Sequence, residues 1–364
     1  MNSALLKPEE RAILRLRDLY RTYGYTCFKM SKFEAYELYV ENKEFLISDR
    51  VITFTDTDGK LMALKPDVTL SIVKNAPEGG GVSRVYYNES VFRVSERTHQ
   101  FKELMQTGLE CIGELGAYHL CEVVALAGRS LSTIAQGSVL AVSHLGIVSA
   151  LLRTVCTAAA KQEILRALEA KNPHGMREAC AAADVDAPTT DALVSLTDMY
   201  GEPAAVLPRL RSMSEDAEVH AAVKTLEQAV SLCEEDTQTR VVIDLSLVSD
   251  TGYYNGLIFR GYVRGIPTAV LFGGQYDRLM ERMGKRARAI GFAVYLDGLE
   301  QLEEDDALDA DVLLLCQKDD DPRAVFRYVR TLTDKGLRVA VDTCPDSRLR
   351  VGRTERFTGG ESHA

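Results

Sequence analysis

Apolar positions recur at three- and four-residue spacing near the start of the chain. Ile13, Leu16, Leu19, Tyr20 and Tyr23 share one face, the period of an amphipathic helix. Pro8 suits the first turn of that helix, and Glu9 and Glu10 complement its positive end. Gly24 predicts the stop. The period then shortens to two. Residues 50–55 alternate, Asp58-Gly59 supplies a turn and 60–65 return, which predicts a β-hairpin. Further strands are predicted over 83–87, 90–94, 104–113, 240–248, 255–263, 268–272 and 291–295, the last running into a helix over 297–302.

A change of texture interrupts this strand-rich pattern. The chain holds 15 Tyr and 11 Phe, yet residues 150–237 contain one aromatic residue, Tyr200. That segment is rich in Ala, Leu and Glu at helical spacing (Leu165, Leu168; Val223, Leu226, Val230). It predicts a helical insertion over 150–237 between the two parts of a core, 1–149 and 238–302. Glu303, Glu304, Asp305, Asp306, Asp309 and Asp311 then crowd together, a like-charge block that reads as a solvated linker. A strand over 311–317, a helix over 322–335 and a strand over 337–341 make one βαβ-like unit within 311–344. The polar tail 345–364 is expected to be poorly ordered.

Composition narrows the functional classes. With 364 residues, 46% hydrophobic and 26% charged, the chain suits two or three folded units of ordinary soluble type. Its 43 basic and 53 acidic residues give a net charge of −10, opposite to the basic field that phosphate contacts require of a nucleic-acid binder. The longest apolar stretch, near 145–155, is broken by Arg153 and falls short of the ~20 residues of a membrane helix. Residues 1–10 lack the apolar centre of a signal peptide. None of the eight cysteines forms a Cys-x-x-Cys pair and no histidines stand at zinc-ligand spacing, so the thiols are expected to be buried hydrophobes. These features predict a cytoplasmic protein with no metal, no cofactor and no membrane association. His99, His119, His144 and His220 have no recognisable partner and receive no role; Gly79-Gly80-Gly81 lacks the lysine of a phosphate loop and reads as a connector.

The chemistry concentrates in the strand over 104–113. Alternation puts Gln106, Gly108, Glu110 and Ile112 on one face and Met105, Thr107, Leu109 and Cys111 on the other. The second set is a core face. The first flanks a side-chain-free position with an amide and a carboxylate, and glycine inside a strand often marks close approach by a ligand or backbone. A solvent-facing polar edge is the plainer alternative. Upstream context favours the ligand.

That context is Val91-Phe92-Arg93-Val94-Ser95-Glu96, which resembles motif 2 of the class II aminoacyl-tRNA synthetases, where an arginine fork meets a carboxylate or phosphate. Over the whole block 84–113 the chain is similar to the histidyl branch of that family. Lys65-Pro66-Asp67-Val68-Thr69 resembles its Arg-Pro-Glu-x-Thr segment, Tyr253-Tyr254-Asn255-Gly256 its Tyr-Tyr-Thr-Gly segment, and Gly273-Gly274-Gln275-Tyr276-Asp277 its Gly-Gly-Arg-Tyr-Asp segment. The resemblance implies an α+β fold, an antiparallel sheet flanked by helices, self-associating through the synthetase-like core and followed by a truncated anticodon-binding-like unit. It also implies a histidine-like pocket built from Asp67, Thr69, Arg93, Gln106, Glu110, Tyr253, Tyr254 and Tyr276. Individually, Tyr253 and Tyr254 also read as sheet aromatics, and Arg93 as a structural partner of Glu110.

The departures point away from catalysis. Motif 3 places an arginine where this chain has Gly298, and the arginine preceding the Tyr-Tyr segment corresponds to Ser249. A basic residue of the motif 2 loop aligns with Gln100. Each lost transition-state donor typically costs ~10²–10³ in rate. An amino-acid pocket kept on a disabled synthetase core resembles the regulatory branch of the family, the subunits that partner the short-form catalytic subunit of ATP phosphoribosyltransferase at the first step of histidine biosynthesis. That resemblance implies a non-catalytic protein with histidine as effector and no tRNA partner. The abbreviated C-terminal region is expected of the same branch. A divergent histidyl-tRNA synthetase or related ligase, and a histidine sensor with another partner, are the alternatives.

Overall fold

The computed structural model describes residues 6–46, 51–77, 79, 81–95, 98–153, 155, 157–236, 238–248, 253–299, 308–345 and 348–358. Two compact units divide the chain, Met1–Leu302 and Glu303–Ala364.

In the first unit, helix α1 (Pro8–Thr22) buries Ala12, Leu16 and Tyr20, with Glu10 returning to bond the Lys7 N–H at 2.9 Å. Gly24 ends it at φ +78°, a left-handed conformation that favours glycine. Strand β1 (Thr26–Cys27) follows, then β2 (Phe33–Ala35), α2 (Tyr36–Glu41), the hairpin β3 (Thr53–Thr55) and β4 (Leu61–Leu64), and α3 (Thr69–Asn75). Strands β2, β4 and β3 form a small antiparallel sheet. The long pair β5 (Val82–Val94) and β6 (Phe101–Gly113) lies antiparallel through 13 registered residues. The two short strands expected over 83–87 and 90–94 are therefore one.

Helix α4 (Ala117–Ile134) leads to β7 (Val139–His144) and α5 (Leu145–Leu151). Four helices and a short strand follow: α6 (Ala158–Glu169), α7 (Pro173–Ala182), α8 (Ala187–Leu196), β8 (Tyr200–Gly201) and α9 (Pro203–Arg211), and then the long α10 (Ala217–Asp236). Their starts are written locally: the Thr157, Asn172 and Asp186 side chains each accept a backbone N–H of the following first turn. Strands β9 (Arg240–Asp244), β10 (Leu257–Tyr262) and β11 (Leu271–Gln275), helix α11 (Asp277–Arg282) and strand β12 (Arg288–Tyr295) complete the unit.

The main sheet runs β1-β5-β6-β12-β11-β10-β7-β9-β8. It is antiparallel except for β1 against β5 and β7 against β9, which are parallel. One face carries α1, α4 and the helices of 158–236, through a continuous core that includes Leu16, Leu109, Leu126, Leu140 and Phe259. The other face is part-covered by a second core around Tyr39, Leu70, Tyr87 and Tyr276, and the cavity described below opens there. Past β12 the chain turns at Asp297–Gly298 and begins a helical turn at Leu299; the rest of the helix expected over 297–302 lies outside the described residues, as does the acidic stretch 303–307.

In the second unit, β13 (Ala310–Leu315), α12 (Pro322–Thr333) and β14 (Val339–Asp342) form a parallel βαβ arrangement. A third strand, β15 (Val351–Arg356), pairs parallel with the other edge of β13. Within the segment 345–364, expected to be a poorly ordered tail, residues 351–356 thus form a strand. The strand is polar, but its backbone pairs with β13, Tyr328 donates to Glu355 at 3.1 Å, and Phe357 packs with Leu314 and Val325.

Among the described residues no helix is long and apolar enough to cross a membrane, and no group of three or more His, Cys, Asp or Glu side chains is arranged to hold a metal ion.

Candidate functional site

A cavity of about 540 Å3 opens on the face of the main sheet away from α4. Strands β6, β12, β11 and β10 build its floor in register. Glu110 lies opposite Gly291, Gly291 opposite Gly274, and Gly274 opposite Ile258. One pleat further on, Gly108, Ala293, Phe272 and Arg260 form a parallel row. The small residues let side chains lie across the sheet. A Cβ at Gly291 would overlap the Glu110 carboxylate, and one at Gly274 would meet the Tyr254 ring at 2.6 Å. At Gly108 the expected room is already filled, since the Tyr87 hydroxyl stands 2.6 Å from where a Cβ would sit.

Glu110 anchors one end. It is 2% exposed and accepts hydrogen bonds from Thr69 Oγ1 at 2.8 Å and Tyr276 OH at 2.5 Å. Burial pushes its carboxyl up to about 8, although both hydroxyls favour the ionised form and pull against the shift; the nearby Asp67 adds a smaller push upward. Asp67 is also raised by burial, against the opposing pull of the Leu70 N–H, the Arg93 charge, the Thr69 N–H and Lys65. Its Oδ1 accepts the Leu70 N–H at 2.9 Å at the start of α3. This end therefore holds two buried carboxyls that an incoming cation would stabilise in ionised form.

Arg93 enters the cavity beside Asp67. Its Nε donates to the Pro66 carbonyl at 3.1 Å and Nη1 to Tyr295 OH at 3.2 Å, with the guanidinium 5.7 Å from the Tyr295 ring centre. It makes no hydrogen bond or ion pair to Glu110, so the structural pairing weighed from sequence is not formed. Gln106 lines the same wall, 3% exposed, and its Nε2 has no hydrogen-bond partner among the described residues. An unbonded buried donor is costly, and here it faces a space that a ligand acceptor can occupy. Tyr253 packs edge-on against Tyr254 at 4.7 Å and near Tyr276 at 5.8 Å, and Phe45 closes over it at 6.1 Å. Burial raises the Tyr253 and Tyr276 hydroxyls well above the usual phenol range, so both remain donors.

All eight residues singled out from sequence (Asp67, Thr69, Arg93, Gln106, Glu110, Tyr253, Tyr254 and Tyr276) line this one cavity. Sequence reasoning missed Arg260, Phe272, Tyr295 and Tyr87, which line it too. Strand alternation places Arg260 on the cavity face, but its neighbours depend on a strand order that periodicity does not carry. Of the two positions where the resemblance implies that the synthetases carry an arginine, Ser249 lies outside the described residues. At Gly298 a Cβ would sit 3.5 Å from Ile266, an ordinary contact, so packing does not require glycine there. His144, given no role from sequence, caps α5 by accepting the Gly146 N–H at 3.1 Å; burial holds its imidazole down at about 4 and thus neutral.

The family model for histidyl-tRNA synthetase matches residues 4–299. An ATP phosphoribosyltransferase regulatory subunit from Ralstonia pickettii is 30% identical over 305 residues, covering 80% of this chain and 77% of that protein. Another, from Oceanobacillus iheyensis, is 27% identical over 293 residues, covering 79% and 72%. A crystal structure of an ATP phosphoribosyltransferase regulatory subunit/histidyl-tRNA synthetase from Bacillus halodurans shares the fold at TM-score 0.76 and 22% identity, covering 96% of this chain and 93% of that one. A chain of the ATP phosphoribosyl transferase complex from Thermotoga maritima aligns at TM-score 0.64 and 19% identity, covering 80% and 98%.

Proposed function

The chain belongs to the histidyl-tRNA synthetase family, and within it we infer a regulatory rather than a ligase role: it is a regulatory subunit of ATP phosphoribosyltransferase, acting in histidine biosynthesis. The observation that carries this is similarity to proteins of that name across most of both chains. The partner is the short-form catalytic subunit of ATP phosphoribosyltransferase. The chain itself does not adenylate an amino acid. Adenylation needs cationic donors placed where phosphate charge develops, and two of the family's arginine positions hold Gly298 and Ser249. We assign no tRNA substrate and place the protein in the cytoplasm.

The cavity is read as an effector site for histidine or a close analogue. Asp67, Thr69 and Glu110 would meet the cationic and N–H groups, Gln106 and Arg93 the carboxylate, and Tyr253, Tyr254 and Tyr276 the ring. Such a ligand regulates by binding one assembly state more tightly than another, shifting the population by that difference and no more.

The test is direct. The purified protein is expected to co-purify with the catalytic subunit, change its activity, and show no histidine-dependent exchange between ATP and pyrophosphate. Robust exchange would make it a ligase instead. Failure both to associate and to alter activity would remove the regulatory assignment. Histidine titration against wild type and Tyr254→Ala checks the effector site; equal affinity would place histidine elsewhere.

A further inference from the structure

The three tyrosines of the cavity are unequally held. Tyr276 directly follows β11, donating its N–H to the Ala289 carbonyl at 2.9 Å and its hydroxyl to Glu110 at 2.5 Å. Tyr253 and Tyr254 stand on residues 253–256, a segment in neither helix nor strand. Such a segment lacks the repeated backbone pairing that fixes a strand, yet rings that receive a ligand must be held by supporting hydrogen bonds and packing. Tyr253 packs against both other tyrosines, so the backbone beneath it is where that support has to act.

Three residues behind the tyrosines close a ring of hydrogen bonds. The Asn255 N–H donates to the Gln275 carbonyl at 2.9 Å, Gln275 Nε2 donates to Asp277 Oδ2, and the Asp277 N–H donates to Asn255 Oδ1 at 2.9 Å. Asp277 Oδ1 extends the ring to β12 by accepting the Ala289 N–H at 2.9 Å, and Oδ2 lies 3.5 Å from Arg288 Nε. Gln275 is buried, and glycine at 256 makes way for it, since a Cβ there would overlap the Gln275 side-chain amide. Asn255 follows Tyr254 in the chain, and Gln275 and Asp277 flank Tyr276. Asn255, Gln275 and Asp277 themselves do not line the cavity. The sheet does not depend on their side chains, because β10 pairs with β11, and β11 with β12, through the backbone.

We infer that Asn255, Gln275 and Asp277 are positioning residues, a clamp that fixes the backbone under Tyr253 and Tyr254 and so keeps both rings beside Tyr276 on the cavity wall. Each member is next in sequence to a cavity tyrosine, and the ring joins the irregular segment to the end of β11 and the start of α11. Opening the clamp lowers the share of chains with both rings in place, and the apparent affinity for a ligand falls with that share. The consequence for ligand affinity rests on the effector reading; the hold on residues 253–256 does not.

Amide hydrogen exchange read by mass spectrometry, with calorimetric titration of histidine, tests the clamp on the full chain. Asn255→Ala removes the acceptor of the Asp277 N–H, and Asp277→Ala removes the acceptor of Gln275 Nε2 and the Ala289 N–H. Both variants are expected to exchange the amides of 253–257 roughly tenfold faster, while those of β6 keep the wild-type rate. Both should bind histidine roughly tenfold more weakly. Asn255→Thr keeps an acceptor oxygen and should stay near wild type in both measurements. Exchange over 253–257 that is unchanged in both alanine variants, or that rises only in step with β6, overturns the clamp. So does local acceleration with histidine affinity unchanged, or an Asn255→Thr variant that matches Asn255→Ala. Failure of wild type to bind histidine refutes the effector reading alone, and the exchange rates then decide the clamp by themselves.

Discussion

Glu110 shows how one residue couples the cavity to stability. Its carboxyl titrates near 8 in the fold, against about 4.3 when exposed. Between those values the folded chain holds a proton that the unfolded chain has released. Stability therefore falls as pH rises through this window, and the contribution is lost above about 8. Glutamine keeps the shape of the neutral acid and does not titrate, provided that one of the two hydroxyls turns to accept. Wild type is accordingly expected to lose melting temperature relative to Glu110→Gln between pH 5 and pH 8, with the two converging at the acid end. Parallel curves across that range would show that Glu110 is ionised throughout. A cationic ligand should flatten the wild-type slope, because it supplies the charge that burial withholds.

At the scale of elements, the polar interruption within β5 is what sequence periodicity misread. Asn88 and Glu89 split an otherwise alternating run and suggest two strands. Each instead has a partner: Thr107 Oγ1 donates to Asn88 Oδ1 at 2.7 Å, and Lys65 Nζ pairs with Glu89 at 2.8 Å. Lys65 is completely buried and Glu89 16% exposed. The Lys65 carbonyl also accepts the Phe92 N–H at 2.8 Å, tying the end of β4 to β5 beside Asp67. Lys65→Ala would leave Glu89 without its cation and is expected to cost about 3–5 kcal/mol. Lys65→Met with Glu89→Leu should recover most of this in a denaturant titration; equal loss by both variants would deny the pair its role. The helix α1, the hairpin β3–β4 and the floor strands β6, β10 and β12 were legible from their period, whereas β11, expected over 268–272, lies at Leu271–Gln275, because its Gly273-Gly274 pair reads as a turn rather than as strand. Strand β15 was not legible, since its hold on β13 is through the backbone and its side chains are those of a tail. The cavity face of β6 was legible from the alternation that places Gln106 and Glu110 on one side of the strand. The Arg260–Phe272 wall was hidden, because it arises between strands that only the folded order makes neighbours.

For the whole molecule, the division at Leu302 separates two units of unequal means. Every residue lining the cavity falls in the first, whose core extends from α1 through the main sheet to α10. Among its described residues the second has three parallel strands and one helix over a small cluster of Leu314, Val325 and Phe357, with Phe326 left 68% exposed. Chains of about 60 residues bury only ~60% of their unfolded surface and are marginal by themselves. Parallel strands add to the difficulty, since such sheets are normally covered on both faces. A fragment of residues 1–302 is therefore expected to fold cooperatively and to bind small molecules with the affinity of the full chain. Residues 303–364 alone should show little cooperative unfolding by calorimetry. Loss of ligand binding in the 1–302 fragment would mean that the second unit completes the site. Retained binding with lost activation of the catalytic subunit would instead give the second unit the task of transmitting occupancy to the partner.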